Sequence, residues 1–216
     1  ERRKRSAQLP YRSTMLTRLA QVLGLARAGN VEPIPEIHQR TTMVFVHIPK
    51  TGGLSLRQTL LGSCTVGTTF RIIHQVDDAA RFAALPLERR RAMELVEGHM
   101  YYGLHEYLPR PCTYITLVRE PVARVRSFYR YVCQSRWHFL YPRIAAEGMT
   151  LRDCIERKLT VELDNYMTRS LTSLDYVHVP FGGVNDEMFA IAKAHLDSIA
   201  LVGTTDNMSL LYAMLT

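Results

Sequence analysis

The residues of this chain best suited to do chemistry are His47-Ile48-Pro49-Lys50-Thr51-Gly52-Gly53-Leu54-Ser55. Glycines here let the backbone turn sharply and bring its N–H groups close to an anion. A helix beginning near Leu54 adds unpaired N–H groups and a positive dipole end. Thr51 and Ser55 offer hydroxyl donors, and Lys50 places a point charge at the mouth of the loop. Together these make a cradle for a phosphate-like anion. It is not a Walker A loop, in which lysine follows the glycines and precedes Ser or Thr. Lys50 precedes Gly52 and Gly53, and no acidic strand end suits a magnesium ion.

Two further positions carry reactive side chains. Arg119 follows the apolar run Tyr114 to Val118, and Ser127 lies eight residues later, two turns into a helix that faces back across it. His99 follows Gly98 at the end of another short apolar run. A histidine titrates near neutrality and suits proton transfer, and the carboxyl ends of strands are where α/β sites collect. His74 and His105 are less well placed.

The elements that must position these residues alternate. Met43 to Ile48 is a short apolar run bounded by Pro49 and the glycine pair, as expected of a buried parallel strand. Leu54, Leu56, Leu60 and Leu61 continue with helical spacing. Strands are expected over Thr69–Ile73, Glu94–His99, Tyr114–Val118 and Ile199–Val202. Helices are expected over Asp77–Leu85 and from Arg119-Glu120-Pro121 to about Cys133, and mainly helices from Leu151 onward. Strand and helix in alternation predict an α/β fold with a central parallel sheet flanked by helices. Residues 1–40 read as an N-terminal helix (Leu16, Leu19, Val22, Leu23) and a Pro33/Pro35 linker, and residues 41–216 as the main domain.

His47 through Ser55 resembles the 5′-phosphosulfate loop of sulfotransferases that use 3′-phosphoadenosine 5′-phosphosulfate (PAPS). The likeness is to the branch with the heparan sulfate 2-O- and 6-O-sulfotransferases and bacterial relatives. Ile115 to Tyr129 is similar to the family's 3′-phosphate motif, with Arg119 and Ser127 at its arginine and serine positions. Gly98-His99 looks like the branch's general base. Asp164 to Arg169 resembles a helix segment beside cofactor and acceptor, and Leu201-Val202-Gly203 a strand near the domain's end.

The resemblance implies a P-loop-like three-layer fold that spans roughly residues 42–210. It also implies in-line transfer of a sulfuryl group from PAPS to an acceptor hydroxyl, with adenosine 3′,5′-bisphosphate as product and no metal. His99 would take the proton and Lys50 would stabilise the departing oxygen. Lys50, Thr51, Gly52, Gly53, Leu54, Ser55, Arg119 and Ser127 would hold the cofactor. Arg136 and Trp137, with Tyr131, His138 and Tyr141, are candidates for an acceptor rim, as are Asn165 and Arg169.

The net charge of +7 comes almost wholly from arginine, since Lys4, Lys50, Lys158 and Lys193 are the only lysines. Arginine grips planar oxyanions through two parallel hydrogen bonds, so the composition suits anionic partners, an acidic glycan among them. No nucleic-acid reading motif accompanies the charge. Cys64, Cys112, Cys133 and Cys154 lack metal-ligand spacing, and Cys112 and Cys133 are expected to be buried thiols. No run approaches the length of a membrane span. The expected compartment is the cytoplasm, or the Golgi lumen if an anchor precedes Glu1; Thr216 falls in what reads as a helix, with part of the pocket expected beyond it. Two other functions compete: a P-loop kinase acting on a small molecule, and a non-catalytic module that binds a phosphonucleotide or polyanion.

Overall fold

The structure, a computed structural model, describes residues 41–207. The helix and linker expected over 1–40 and the helix expected at the C-terminal end lie outside the described residues. Five strands form one parallel sheet: β1 (Thr42–Val46), β2 (Thr69–Ile72), β3 (Leu95–Gly98), β4 (Cys112–Val118) and β5 (Leu201–Thr204). Their order is β2-β3-β1-β4-β5. The predicted α/β architecture is the one observed.

All five positions of β1 are buried, because the strand lies at the centre of the sheet with both faces covered. Successive side chains leave on opposite faces. Met43 and Phe45, with Leu95, Ile115 and Leu117, pack against Leu56 and Leu60 of helix α1 (Gly53–Gly62). Each such buried leucine contributes about 1.5–3 kcal/mol. Leu54, two residues before Leu56 and so on a different face, stays exposed. Val44, Val46 and Val96 face the other way. They share a cluster with Phe82 of α2 (Gln75–Ala83), Tyr166 and Leu171 of α7 (Tyr166–Leu171), and Ala192 of α8 (Asp186–Ser198).

Between β2 and β3 comes the short α3 (Leu87–Arg91). After β4 the chain forms α4 (Pro121–Gln134), α5 (Tyr141–Glu147) and α6 (Leu151–Glu156), which enclose a third core around Phe128, Val132, Ile144 and Cys154. A capping box of Thr150 and Asp153 starts α6, and Asn185 caps α8.

The register matters most for the site. Val46 of β1 pairs with Gly98 of β3 on one side and Thr116 of β4 on the other. The carboxyl ends of three adjacent strands therefore lie side by side, although the chain reaches them near residues 47, 99 and 119. The four cysteines are free thiols. Cys154 is buried and Cys112 half-buried, whereas Cys133 is exposed, contrary to its apolar surroundings in sequence. It lies on the face of α4 that also carries Arg126 and Arg130, away from the third core. No described helix is long and apolar enough to cross a membrane.

Candidate active site

The loop after β1 has the form of an anion cradle. Lys50 has φ +70° and Gly52 φ +85°, so two left-handed residues fold the chain back into α1. No side chain caps the N-terminus of α1, and its first turn holds no acid. Its first N–H groups and dipole end are thus left for an anion. The N-terminus of α4 contrasts with it: the Glu120 carboxylate accepts from Val122 N at 2.9 Å and Ala123 N at 2.6 Å. Thr51 differs from its expected role. Its hydroxyl is wholly buried and donates to Ile48 O at 2.7 Å, so it braces the loop rather than facing a ligand. Ser55 and Leu54 are exposed on the first turn of α1.

Three cations converge on this loop. Arg119 Nη1 donates to Lys50 O at 3.2 Å, which puts its guanidinium beside the cradle. Ser127 is half-buried on α4, one turn beyond Arg124. Lys50 Nζ lies 4.4 Å from the centroid of the Tyr131 ring. Burial, then Arg119 and Arg124, hold the Lys50 ammonium below its ordinary pKa. The two guanidinium groups act in the same direction as burial, as like charges gathered at one loop must.

Arg124 was not singled out as a site residue from sequence. It is 2% exposed. Its Nε donates to Pro49 O at 3.0 Å and its Nη1 to Glu162 O, while Nη2 pairs with Glu162 Oε2 at 3.5 Å. Arg124 therefore ties the anion loop to the segment around residue 162. Spacing carried the missed signal, since Arg124, Phe128 and Val132 recur every four residues on one buried stripe.

The histidines form a stack beside the loop. His99 Nδ1 lies 2.9 Å from His47 O, an oxygen that can only accept. Nδ1 therefore carries the hydrogen, and the neutral ring keeps Nε2 as a basic lone pair. Burial depresses the His99 pKa, opposed by the His47 carbonyl and Glu97, so the ring is neutral at pH 7. His47 stacks on Phe45 at 5.3 Å and meets His99 at 4.9 Å between centroids. Its pKa is lowered to about 4 by burial first, then by His99 and two arginines. Beneath them lies buried Glu97 of β3, whose Oε1 is 2.9 Å from Arg57 Nε. The angle there is not that of a hydrogen bond, so the contact is an ion pair held by charge.

Two glycines are fixed by contact. Gly98 has φ +136°, and a Cβ there would fall 1.9 Å from Ile72 O. A Cβ on Gly53 would fall 2.3 Å from His47 Cδ2 and 3.1 Å from Phe45. Gly53→Ala is accordingly expected to displace the His47 ring and cost about 1–3 kcal/mol by overpacking. A lower urea midpoint at unchanged slope reads this out; an unchanged midpoint would show that the ring moves freely.

A cavity of about 450 Å³ opens beside the loop, and residues 51–55, Arg119 and Ser127 are not among its lining. Lys50 and His99 both line it, with Gln75, Phe128, Tyr131, His138, Glu162 and Tyr166. No family model matches this chain, and no curated protein matches it.

Of the expected acceptor residues, Tyr131 and His138 line the cavity, while Arg136 and Trp137 do not; both are exposed outside it. Arg169 is wholly buried and structural. It donates to Asp164 O at 2.8 Å, to Val179 O at 2.7 Å, to Pro180 O at 2.8 Å and to the Asp164 carboxylate. Four of its five N–H donors are spent inside the protein, and the side chain is wholly buried, so no face is open to a substrate. Asn165, at φ +48°, is the left-handed residue before α7, and its amide bonds Asp164 at 3.0 Å. Glu162 and Tyr166 were not singled out as site residues from sequence, because only the tertiary fold brings them to the loop. Burial raises the pKa of both.

Proposed function

We propose that this protein is a PAPS-dependent sulfotransferase of the P-loop-like type, which moves a sulfuryl group to an acceptor hydroxyl. The observation that carries the reading is the shared cavity: Lys50 at an uncapped helix N-terminus and the neutral His99 line one space. The sequence resemblance and the strand order support it. The donor-binding residues fit the group. The loop offers free helix N–H groups, Lys50 and Arg119 add positive charge, and the Glu162 carboxylate on the cavity is already paired with Arg124.

PAPS brings a sulfuryl group on a good leaving group, which leaves the protein to supply positioning, charge stabilisation and proton removal. Backbone N–H groups of residues 51–55 and Lys50 would hold the 5′-phosphosulfate. Arg119 and Ser127 would hold the 3′-phosphate. His99 Nε2 would accept the proton of the acceptor hydroxyl. An acceptor on a carbohydrate is compatible with the aromatic wall of Phe128, Tyr131 and Tyr166.

Calorimetric titration with adenosine 3′,5′-bisphosphate, against ATP and 5′-AMP with and without magnesium, tests the reading. Binding that needs the 3′-phosphate and no metal is the expected result. Preference for magnesium ATP would favour a kinase, and no binding to any of them would overturn the proposal. Lys50→Gly sharpens the test. It is expected to weaken bisphosphate binding roughly 10- to 100-fold, one charge-assisted bond. Its unfolding midpoint is expected not to fall, because glycine relieves the left-handed strain at φ +70°.

A further inference from the structure

The stretch from Pro121 to Ala146 contains no Asp or Glu but carries Arg124, Arg126, Arg130, Arg136 and Arg143. Arg124 is buried in the brace described above, and Arg143 pairs with Glu147 at 3.2 Å. Arg126, Arg130 and Arg136 remain exposed, the first two on one face of α4. Just beyond α4, Trp137 is 97% exposed and Phe139 73%, the most exposed aromatic side chains among the described residues.

Their exposure is built into a hydrogen-bonded turn. His138 N donates to Ser135 O at 2.9 Å, Tyr141 N to His138 O at 2.9 Å, and Leu140 N to His138 Nδ1 at 3.2 Å. The His138 ring turns inward, edge-on to Phe128 and Tyr131 at 5.7 Å each. Leu140 is buried in the third core. With residues 138 and 140 anchored inward, Trp137 is left in water, and Phe139 rests one face on the His138 ring at 4.7 Å and exposes the other. Holding two large rings in water forfeits the burial they could make elsewhere.

We propose that this ridge, the exposed face of α4 with the 135–140 turn, docks on an anionic membrane surface. Arg126, Arg130 and Arg136 meet lipid phosphates, and Trp137 and Phe139 lodge at the boundary between headgroups and acyl chains. An arginine-bearing helix face beside protruding aromatic rings, its one nearby acid Glu120 already bound to the α4 N-terminus, is the composition of interfacial membrane contacts. A soluble polyanion would engage the arginines but give the rings no apolar phase to enter. The inference does not depend on the sulfotransferase reading.

Trp137 is the only tryptophan of the chain, so its emission reports on the ridge alone. The full chain is mixed with vesicles of phosphatidylcholine, with or without an equal share of phosphatidylglycerol, and with dextran sulfate. The expected result is a blue shift and co-sedimentation with the anionic vesicles only, both weakened by salt. R126Q/R130Q/R136Q is expected to lower partition by roughly 100-fold, at ~1 kcal/mol per arginine near such a surface. These positions are exposed, and an unchanged circular dichroism spectrum confirms folding. Three outcomes overturn the proposal: no shift with anionic vesicles; a shift with dextran sulfate that vesicles do not reproduce; or emission already blue and unchanged by either, which would mean that the ring is covered by the chain itself or by a second copy.

Discussion

His99→Asn is expected to lower kcat for sulfuryl transfer by roughly 10²–10⁴, the usual contribution of a positioned general base, while leaving bisphosphate affinity nearly unchanged. Asparagine is the informative replacement because its amide can reproduce the donor that His99 Nδ1 gives to His47 O, and only the basic nitrogen is lost. The pH dependence provides a second readout. The acid limb of kcat/KM should fall below the ordinary histidine pKa of 6.5, since burial depresses the folded value, and it should vanish in the variant. Stability tests the same stack through His47, whose pKa falls from 6.5 to about 4. The unfolded chain then binds more protons between these values, so stability is fully present above pH 6.5 and declines toward pH 4. The shift corresponds to roughly 3 kcal/mol. Glu162, raised by burial, acts in the opposite sense, and His138 in the same one. The difference between the chain and His47→Gln isolates the His47 contribution. If urea midpoints of the two run parallel between pH 6.5 and 4, the neutral buried stack is wrong.

Sequence made the strands and the anion loop legible because their signals are local. The Met43 to Ile48 run, the glycine pair and the leucines at 56 and 60 each mark a feature formed by near neighbours in the chain. His99 and Arg119 were legible for a related reason: each ends an apolar run, and a parallel sheet collects such ends at one edge. What lay hidden depended on distant partners. Nothing near Arg169 in sequence announces that Val179 and Pro180 will offer it their carbonyls. Nor does Thr51, one of two hydroxyls in the loop, reveal that its own turns inward to Ile48 while Ser55 stays exposed. Residue type suggested ligand contact in both cases, and the unsatisfied backbone of a tight loop took the side chain instead.

Arg124→Met should be the most destabilising single change around the anion loop. The guanidinium is 2% exposed and meets three acceptors from two segments, Pro49 O, Glu162 O and the Glu162 carboxylate. Methionine fills much of the volume and reaches none of them. Breaking a buried pair by removing one partner costs about 3–5 kcal/mol, and Glu162, only partly buried and able to take up a proton, places this case at the lower end. The ring of Tyr166, 4.8 Å from the guanidinium, loses its cation as well. Two companions separate the terms. Arg124→Lys should recover only a fraction, because an ammonium is a point donor without the planar fork that reaches two chain segments at once. R124M/E162Q should be more stable than the two single losses added together, since it removes the stranded acid. The anion loop gives an independent readout. Arg124 helps to depress the Lys50 pKa, so in Arg124→Met that pKa should rise while bisphosphate affinity falls, the loop having lost its anchor at Pro49. A change in urea midpoint equivalent to less than ~0.5 kcal/mol, the size of an ordinary surface substitution, would place Arg124 on the solvated face on which its neighbours Arg126 and Arg130 lie, and would dissolve the brace between the loop and residue 162.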